Sequence, residues 1–101
     1  MAIIEVSVVP LGTETPSVSR YVAGAVKVLQ GEKGIKYELT SMGTIIEGDL
    51  THLLNLAEKM HQTAFAAGAK RVVTTIKIDE RRDQPASMES KVESVRRELG
   101  Y

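Results

Sequence analysis

The stretch "IKYELTSMGTIIEGD", residues 35–49, decides how this sequence folds. Two short runs containing β-branched and tyrosine residues flank Thr40, Ser41 and Met42, a pattern typical of a β-hairpin. The second run also carries one carboxylate, Glu47, next to two isoleucines and between two glycines. A hairpin at the centre of so short a chain divides it into two similar halves.

Each half joins one further strand to one helix. "AIIEVSVVPLG" (2–12) predicts a strand that Pro10 and Gly12 stop. Residues 13–31 then follow helical spacing, with Thr15 or Ser17 as the N-cap and Pro16 in the first turn.

The second half repeats this plan in the order helix, then strand. Residues 50–69 predict the strongest helix, which Asp49 or Thr51 caps and Gly68 ends. Its apolar stripe comprises Leu50, Leu53, Leu54, Ala57, Met60, Ala64 and Ala67. Residues 70–80 predict a strand, and residues 86–101 predict a last helix capped by Ser87, with a narrow stripe of Met88, Val92, Val95 and Leu99.

The order β-α-β-β-α-β-α predicts an α+β fold, the ferredoxin-like βαββαβ sandwich with an additional C-terminal helix. We expect one domain over residues 1–101. Two helices can cover only one face of a four-stranded sheet. We expect Ile4, Val6 and Val8, with Val72, Ile76 and Ile78, to meet these helices, because side chains alternate along a strand.

The other face of the sheet is mixed in character. It comprises Glu5, Ser7, Ile45, Glu47, Val73, Thr75 and Lys77. Such a face commonly stacks on a copy of itself, which predicts a homodimer or homotetramer. The alternative is that the last helix folds over an edge of its own sheet.

Composition excludes several classes of function. Thirteen basic and 13 acidic side chains balance to a formal net charge of zero, which argues against a nucleic-acid or membrane-surface binder. The sequence has no Cys, so thiolate metal sites and Cys nucleophiles are excluded. No apolar run approaches the roughly 20 residues of a membrane helix, and we expect a cytoplasmic protein without a cofactor.

Buried carboxylates need partners, so Glu5, Glu47 and Lys77 should pair with one another or with a ligand. Acids beside the hydroxyls of Ser7, Thr44 and Thr75 are consistent with a small polar or cationic ligand. A purely structural ion network is the alternative.

Two other groups of polar residues have weaker functional interpretations. His52 and His61 lie nine residues apart and point to opposite sides of a helix, which favours surface histidines over a metal site. In "DERRD" (79–83), Arg81 and Arg82 either bind an anion or pair with the neighbouring acids.

Four blocks in order, "VSVVPLGT" (6–13), "SVSRYVA" (17–23), "MGTIIEGD" (42–49) and "RVVTTIKIDERRD" (71–83), resemble the thiamine-binding protein family, long described as conserved uncharacterised proteins. The resemblance covers nearly the whole chain. It implies sheet-to-sheet dimers that form tetramers, with thiamine or its hydroxymethylpyrimidine portion bound near a subunit interface.

The chemistry and the resemblance together indicate one set of ligand-binding residues. Glu47 would be the acid, Ser7 and Thr44 the hydrogen-bonding groups, and Met42 an apolar wall. The full set is Ser7, Thr13, Met42, Gly43, Thr44, Glu47 and Lys77. We therefore expect a non-enzymatic small-molecule binder. The alternatives are a ligand-sensing oligomeric module with another ligand, a small enzyme using Glu47 as a base and, most weakly, an RNA-binding protein.

Overall fold

The computed structural model describes residues 1–100 and contains four strands and three helices. In chain order they are β1 (Ala2–Leu11), α1 (Ser19–Lys27), β2 (Lys36–Leu39), β3 (Thr44–Gly48), α2 (Leu50–Ala66), β4 (Arg71–Glu80) and α3 (Met88–Leu99). The strands form one antiparallel sheet in the order β2-β3-β1-β4. The ferredoxin-like βαββαβ fold with an added C-terminal helix is confirmed.

The core lies between the sheet and the helices α1 and α2. Ile4, Val6 and Val8 of β1 are buried there, as the alternation of the strand predicts. They pack with Leu29 and with five buried residues of α2, which are Leu53, Leu56, Ala57, Met60 and Ala64. The predicted stripe of α2 was wrong at Leu54 and Ala67, which are exposed, and it omitted Leu56, which is buried.

The edge strand β4 differs from the prediction. Ile76 and Ile78 lie on the helix side of the sheet, opposite Val6 and Ile4 of β1. They remain 40% and 49% exposed, respectively, because β4 is an edge strand and the helices leave this end of it uncovered. Thr74 on the same side is covered, and its hydroxyl lies 2.6 Å from Nδ1 of His61 in α2. His61 is therefore a partly buried bridge between helix and strand rather than a free surface histidine.

The start of α1 is also later than the sequence predicts. The helix begins at Ser19, and its N-cap is Val18, which provides no side-chain hydrogen bond. The hydroxyl of Thr13 donates to the carbonyl of Thr15, and that of Thr15 donates to the carbonyl of Ser17. These local bonds compete with helix formation, so the segment before α1 forms turns instead.

The open face, meaning the side of the sheet away from α1 and α2, carries the mixed set of residues that the alternation predicts. Glu5 lies opposite both Ile45 and Lys77, and Ser7 lies opposite Thr75. Within residues 1–100, the first turn of α3 lies against one end of this face.

Candidate functional site

Glu47 is buried on the open face, with 4% of its surface exposed. Its Oε1 accepts a hydrogen bond of 2.9 Å from the backbone N–H of Met88, the first residue of α3. The positive end of a helix dipole and its free N–H groups stabilise a carboxylate in this position. The acid that the sequence predicts as a ligand group therefore has a structural partner.

The contact between α3 and the open face follows one row of residues that crosses all four strands. Lys36, Glu47, Ile3 and Asp79 form one cross-strand row, one residue from each strand. Lys36 pairs with Glu89 at 3.6 Å, and Asp79 pairs with Lys91. Three polar contacts thus hold the beginning of α3, while the side chains Val92, Val95 and Leu99 remain exposed by 54% to 64%.

The pKa of Glu89 is lowered at this contact. The main cause is the hydrogen bond that its own backbone N–H donates to the carboxylate, and the charge of Lys36 adds to it. Both effects favour the ionised acid at the start of the helix. Among these causes, the contribution from the sheet is that of Lys36, whose ion pair with Glu89 is largely exposed.

A second feature is a notch in the sheet, where the pairing of β1 with β3 ends. Pairing between β1 and β3 runs only from Ala2 to Val6, because β3 begins at Thr44. Within residues 1–100, no strand lies beside this edge of β1 beyond Val6, and a cavity of about 220 Å³ lies there. We call this space the notch cavity. Among the residues that line it are Ser7, Met42, Gly43, Thr44, Val18 and Val22.

The turn between β2 and β3 closes one side of the notch cavity. The hydroxyl of Thr40 donates to the carbonyl of Gly43 at 2.8 Å and accepts from the N–H groups of Met42 and Gly43, each at 3.2 Å. A Cβ at Gly43 would lie 3.0 Å from the carbonyl oxygen of Val6. Only glycine permits this approach without displacing the turn or β1.

The seven predicted ligand residues fall into separate places. Ser7, Met42, Gly43 and Thr44 meet at the notch cavity, although Thr44 lies on the helix side of the sheet, opposite Val6, and Ser7 on the open face. Glu47 lies about 13 Å from Ser7 along the sheet, four residues at about 3.3 Å each.

The other two predicted residues also lie outside the notch cavity. Lys77 is exposed on the open face, and Thr13 lines a different cavity at the end of the sheet. The predicted set is therefore not a single site.

Glu5 is the acid that the structure brings near the notch. Its Cγ lies 3.4 Å from the position that a Cβ of Gly43 would occupy. Within residues 1–100, Glu5 forms no salt bridge. Sequence analysis placed Glu5 on the correct face but did not include it in the site, because its distance from the hairpin turn depends on the strand register.

The charged segment after β4 pairs with itself. Arg81 donates two hydrogen bonds to Asp83, at 2.5 and 2.8 Å, and Arg82 donates to Glu80. The hydrogen bonds from Arg81 lower the pKa of Asp83. The arginines of "DERRD" thus pair with the neighbouring acids, which was one of the two interpretations of this segment. Across residues 1–100, no cluster of three or more His, Asp or Glu residues is arranged to hold a metal ion.

No helix within residues 1–100 has the length and apolar character needed to cross a membrane.

Comparison with known proteins identifies close relatives. The UPF0045 protein YqgV of Bacillus subtilis strain 168 is 50% identical over 102 residues, which cover 98% of each chain. The crystal structure of the hypothetical protein MJ1052 from Methanocaldococcus jannaschii superposes with a TM-score of 0.85 at 38% identity, covering 93% of this chain and 94% of that one.

A more distant structure shares the fold. TM0486 of Thermotoga maritima, described as a candidate thiamine biosynthesis or salvage protein, has a TM-score of 0.76 at 22% identity, covering 93% of this chain and 97% of that one. The model of the family described as "Thiamine-binding protein" matches residues 4–96. This match spans five of the seven elements in full and most of β1 and α3, and with the relatives above it shows that the chain belongs to the thiamine-binding protein family.

Proposed function

We propose that this protein is a non-enzymatic binding protein that holds thiamine, or a related hydroxymethylpyrimidine, with its pyrimidine ring in the notch cavity. The observation that carries the proposal is the convergence of four predicted ligand residues, Ser7, Met42, Gly43 and Thr44, on one cavity. Family membership supports the class of ligand.

The size of the notch cavity favours a single ring. Its volume of about 220 Å³ lies below the roughly 300–1,000 Å³ of sites that enclose a whole drug-sized ligand. A pyrimidine ring can enter, whereas the thiazolium ring and side chain of thiamine would project outward. A neighbouring subunit would then cover the projecting part, consistent with a site near a subunit interface.

The chemistry of the lining also favours an aminopyrimidine. Such a ring presents a nitrogen acceptor beside an amino donor, which complements the alternating N–H and C=O groups of an unpaired strand edge. The edge of β1 beyond Val6 offers these groups, and the hydroxyls of Ser7 and Thr44 add further partners. Met42 at the mouth is 79% exposed and can fold over the ligand as an adaptable apolar wall.

Glu5 takes the role that the sequence assigns to Glu47. Its carboxylate is the acid beside the hairpin turn, and it could neutralise the cationic thiazolium. Glu47, the base invoked for an enzymatic alternative, is buried under the start of α3 and hydrogen-bonded there. Its location favours binding over catalysis.

We also propose that the protein acts as a cytoplasmic homodimer or homotetramer. The uncovered part of the open face exposes Val9, Leu11 and Val73, and α3 exposes its stripe of Val92, Val95 and Leu99. Association of copies through these surfaces would bury apolar area that one chain leaves in water.

Titration calorimetry with thiamine and with hydroxymethylpyrimidine tests the binding proposal. Ser7→Ala should weaken both ligands about three- to tenfold, the usual effect of losing one neutral hydrogen bond. Ser94→Ala on α3, away from the notch, is the matched control and should leave affinity unchanged. A wild-type protein that binds neither compound, or one that converts a bound compound, would overturn the proposal.

A backbone variant tests the cavity itself. Gly43→Ala should weaken binding, because its Cβ would lie 3.0 Å from the carbonyl oxygen of Val6 and the turn or β1 would have to shift. Gly24→Ala is the control, since a Cβ at Gly24 meets no atom within 4 Å. Equal affinities of the two variants would remove the notch cavity from the site. Native mass spectrometry would report the number of copies and any retained ligand.

A further inference from the structure

A larger cavity lies at one end of the sheet, separate from the notch cavity. β1 and β4 are antiparallel neighbours with Leu11 opposite Arg71, so the loop after β1 and the turn before β4 emerge at the same end. Between them is a space of about 940 Å³. We call it the end cavity, and residues 11–15, the start of α1 and residues 67–71 line it.

The charge of the end cavity is unbalanced in a protein of zero net charge. Arg20, Lys70 and Arg71 line it, against one acid, Glu14. Within residues 1–100, none of the three cations forms a salt bridge, and the same is true of six other basic side chains. Cations gathered without acidic partners attract an anion, because their mutual repulsion is then relieved.

One of the cations is held in position. The guanidinium of Arg20 lies 5.0 Å from the ring centre of Tyr21, and its Nη2 donates to the Tyr21 hydroxyl at 3.1 Å. The ring of Tyr21 is itself buried in the core. Arg20 therefore has less conformational freedom to lose when it binds an anion, and its remaining N–H groups stay available.

Hydroxyl donors complete the lining. Ser17 and Ser19 border the end cavity, as does Thr13, whose hydroxyl already donates to the carbonyl of Thr15. Ser17 and Ser19 flank Val18, whose side chain cannot cap α1, and their hydroxyl oxygens lie 3.4 Å apart. Serine hydroxyls rotate freely, so they can donate to an anion as readily as to each other.

We propose that the end cavity is a binding site for a small-molecule phosphate monoester. A phosphate dianion has three strong acceptor oxygens, which match two guanidinium groups, one ammonium group and neighbouring hydroxyls better than a carboxylate does. The volume far exceeds that of a phosphate ion and leaves room for the esterified group. The proposal goes beyond the proposed function, because none of its residues lines the notch cavity.

Calorimetry on the full chain in a low-salt, phosphate-free buffer tests the phosphate-monoester site, with phenyl phosphate as the probe. Inorganic phosphate separates an ester site from a phosphate-ion site, and benzoate separates phosphate from carboxylate. Phenyl phosphate should bind most tightly, and its affinity should fall as salt is raised.

The double variant Lys70→Gln/Arg71→Gln should bind phenyl phosphate at least about tenfold more weakly, because two charged hydrogen-bond donors are lost. The matched control Arg96→Gln/Arg97→Gln removes the same charge from α3 and should bind as the wild type does. Thermal unfolding of both variants checks that each is folded.

Three results would overturn the proposal. The first is that phenyl phosphate does not bind to the wild type. The second is that inorganic phosphate or benzoate binds as tightly as phenyl phosphate. The third is that the two double variants lose the same amount of affinity for phenyl phosphate. Thiamine binding at the notch cavity is measured independently, so the failure of one proposal is distinguishable from the failure of the other.

Discussion

The helices α2 and α3 lie on opposite faces of the sheet and contact it in different ways. α2 buries five side chains against the core, and its N-cap, Asp49, accepts a hydrogen bond from the N–H of His52. α3 has an equally well-formed N-terminus, a capping box between Ser87 and Ser90, yet buries none of its residues. Local signals therefore form both helices, whereas apolar packing fixes only α2.

The difference shows how one sheet supports two kinds of attachment. On the helix side, apolar area holds α2 in place. On the open face, one buried carboxylate and two ion pairs contact the first turn of α3, and the apolar stripe of this helix stays exposed. Substitutions in α2, in α3 and at their contacts with the sheet distinguish these two kinds of attachment.

The largest effect should come from the core contact of α2. Leu53→Ala removes a side chain that is fully buried and should lower the free energy of unfolding by about 2–5 kcal/mol, measured by urea denaturation. Leu99→Ala on α3 removes a side chain that is 64% exposed and should change this free energy by less than about 0.5 kcal/mol. Similar costs for the two variants would mean that α3 packs within its own chain.

The next effect should appear at the start of α3. Glu47→Gln keeps an oxygen for the N–H of Met88 but removes the negative charge beside the helix N-terminus, at a cost of about 1–2 kcal/mol. Hydrogen exchange should accelerate in α3 and stay unchanged in α2. Glu38→Gln, an exposed acid on the same face, is the control. Equal acceleration in both helices would contradict a local role for Glu47.

A smaller loss of stability is expected at the hydrogen bond between α2 and β4. Thr74→Val removes the hydroxyl that pairs with His61 and should cost about 0.5–1.5 kcal/mol of unfolding free energy. Because packing holds α2 independently of this bond, its amides should keep their exchange protection relative to the rest of the core. Selective fraying of α2 would show that the bond, and not packing, fixes the helix.

The smallest effect should come from pH. The pKa of Glu89 is lower in the folded chain than its usual 4.5, so its contribution is present above that value and is lost as pH falls through the folded pKa. Exchange of α3 amides, corrected for the intrinsic pH dependence of exchange, should therefore accelerate in acid. Glu89→Gln should reduce this acceleration relative to the wild type. The same acid response in both proteins would show that Glu89 does not contribute.

Much of the fold follows from the sequence alone. Alternation in residues 2–12, the hairpin around Thr40 to Met42, and the periodicity of residues 50–69 specify local conformations, because each depends on neighbours close in the chain. The capping of α3 by Ser87 is local too and was predicted correctly. The order of these elements was enough to indicate the ferredoxin-like plan.

Tertiary structure alone decided where the functional groups lie. The register of β1 against β3 separates Glu47 from Ser7, leaves the notch beside Thr44 and brings Glu5 to the hairpin turn. The pairing of Leu11 with Arg71 likewise gathers cations from distant parts of the chain at the end cavity. Register depends on contacts between residues far apart in sequence, so no local pattern can contain it.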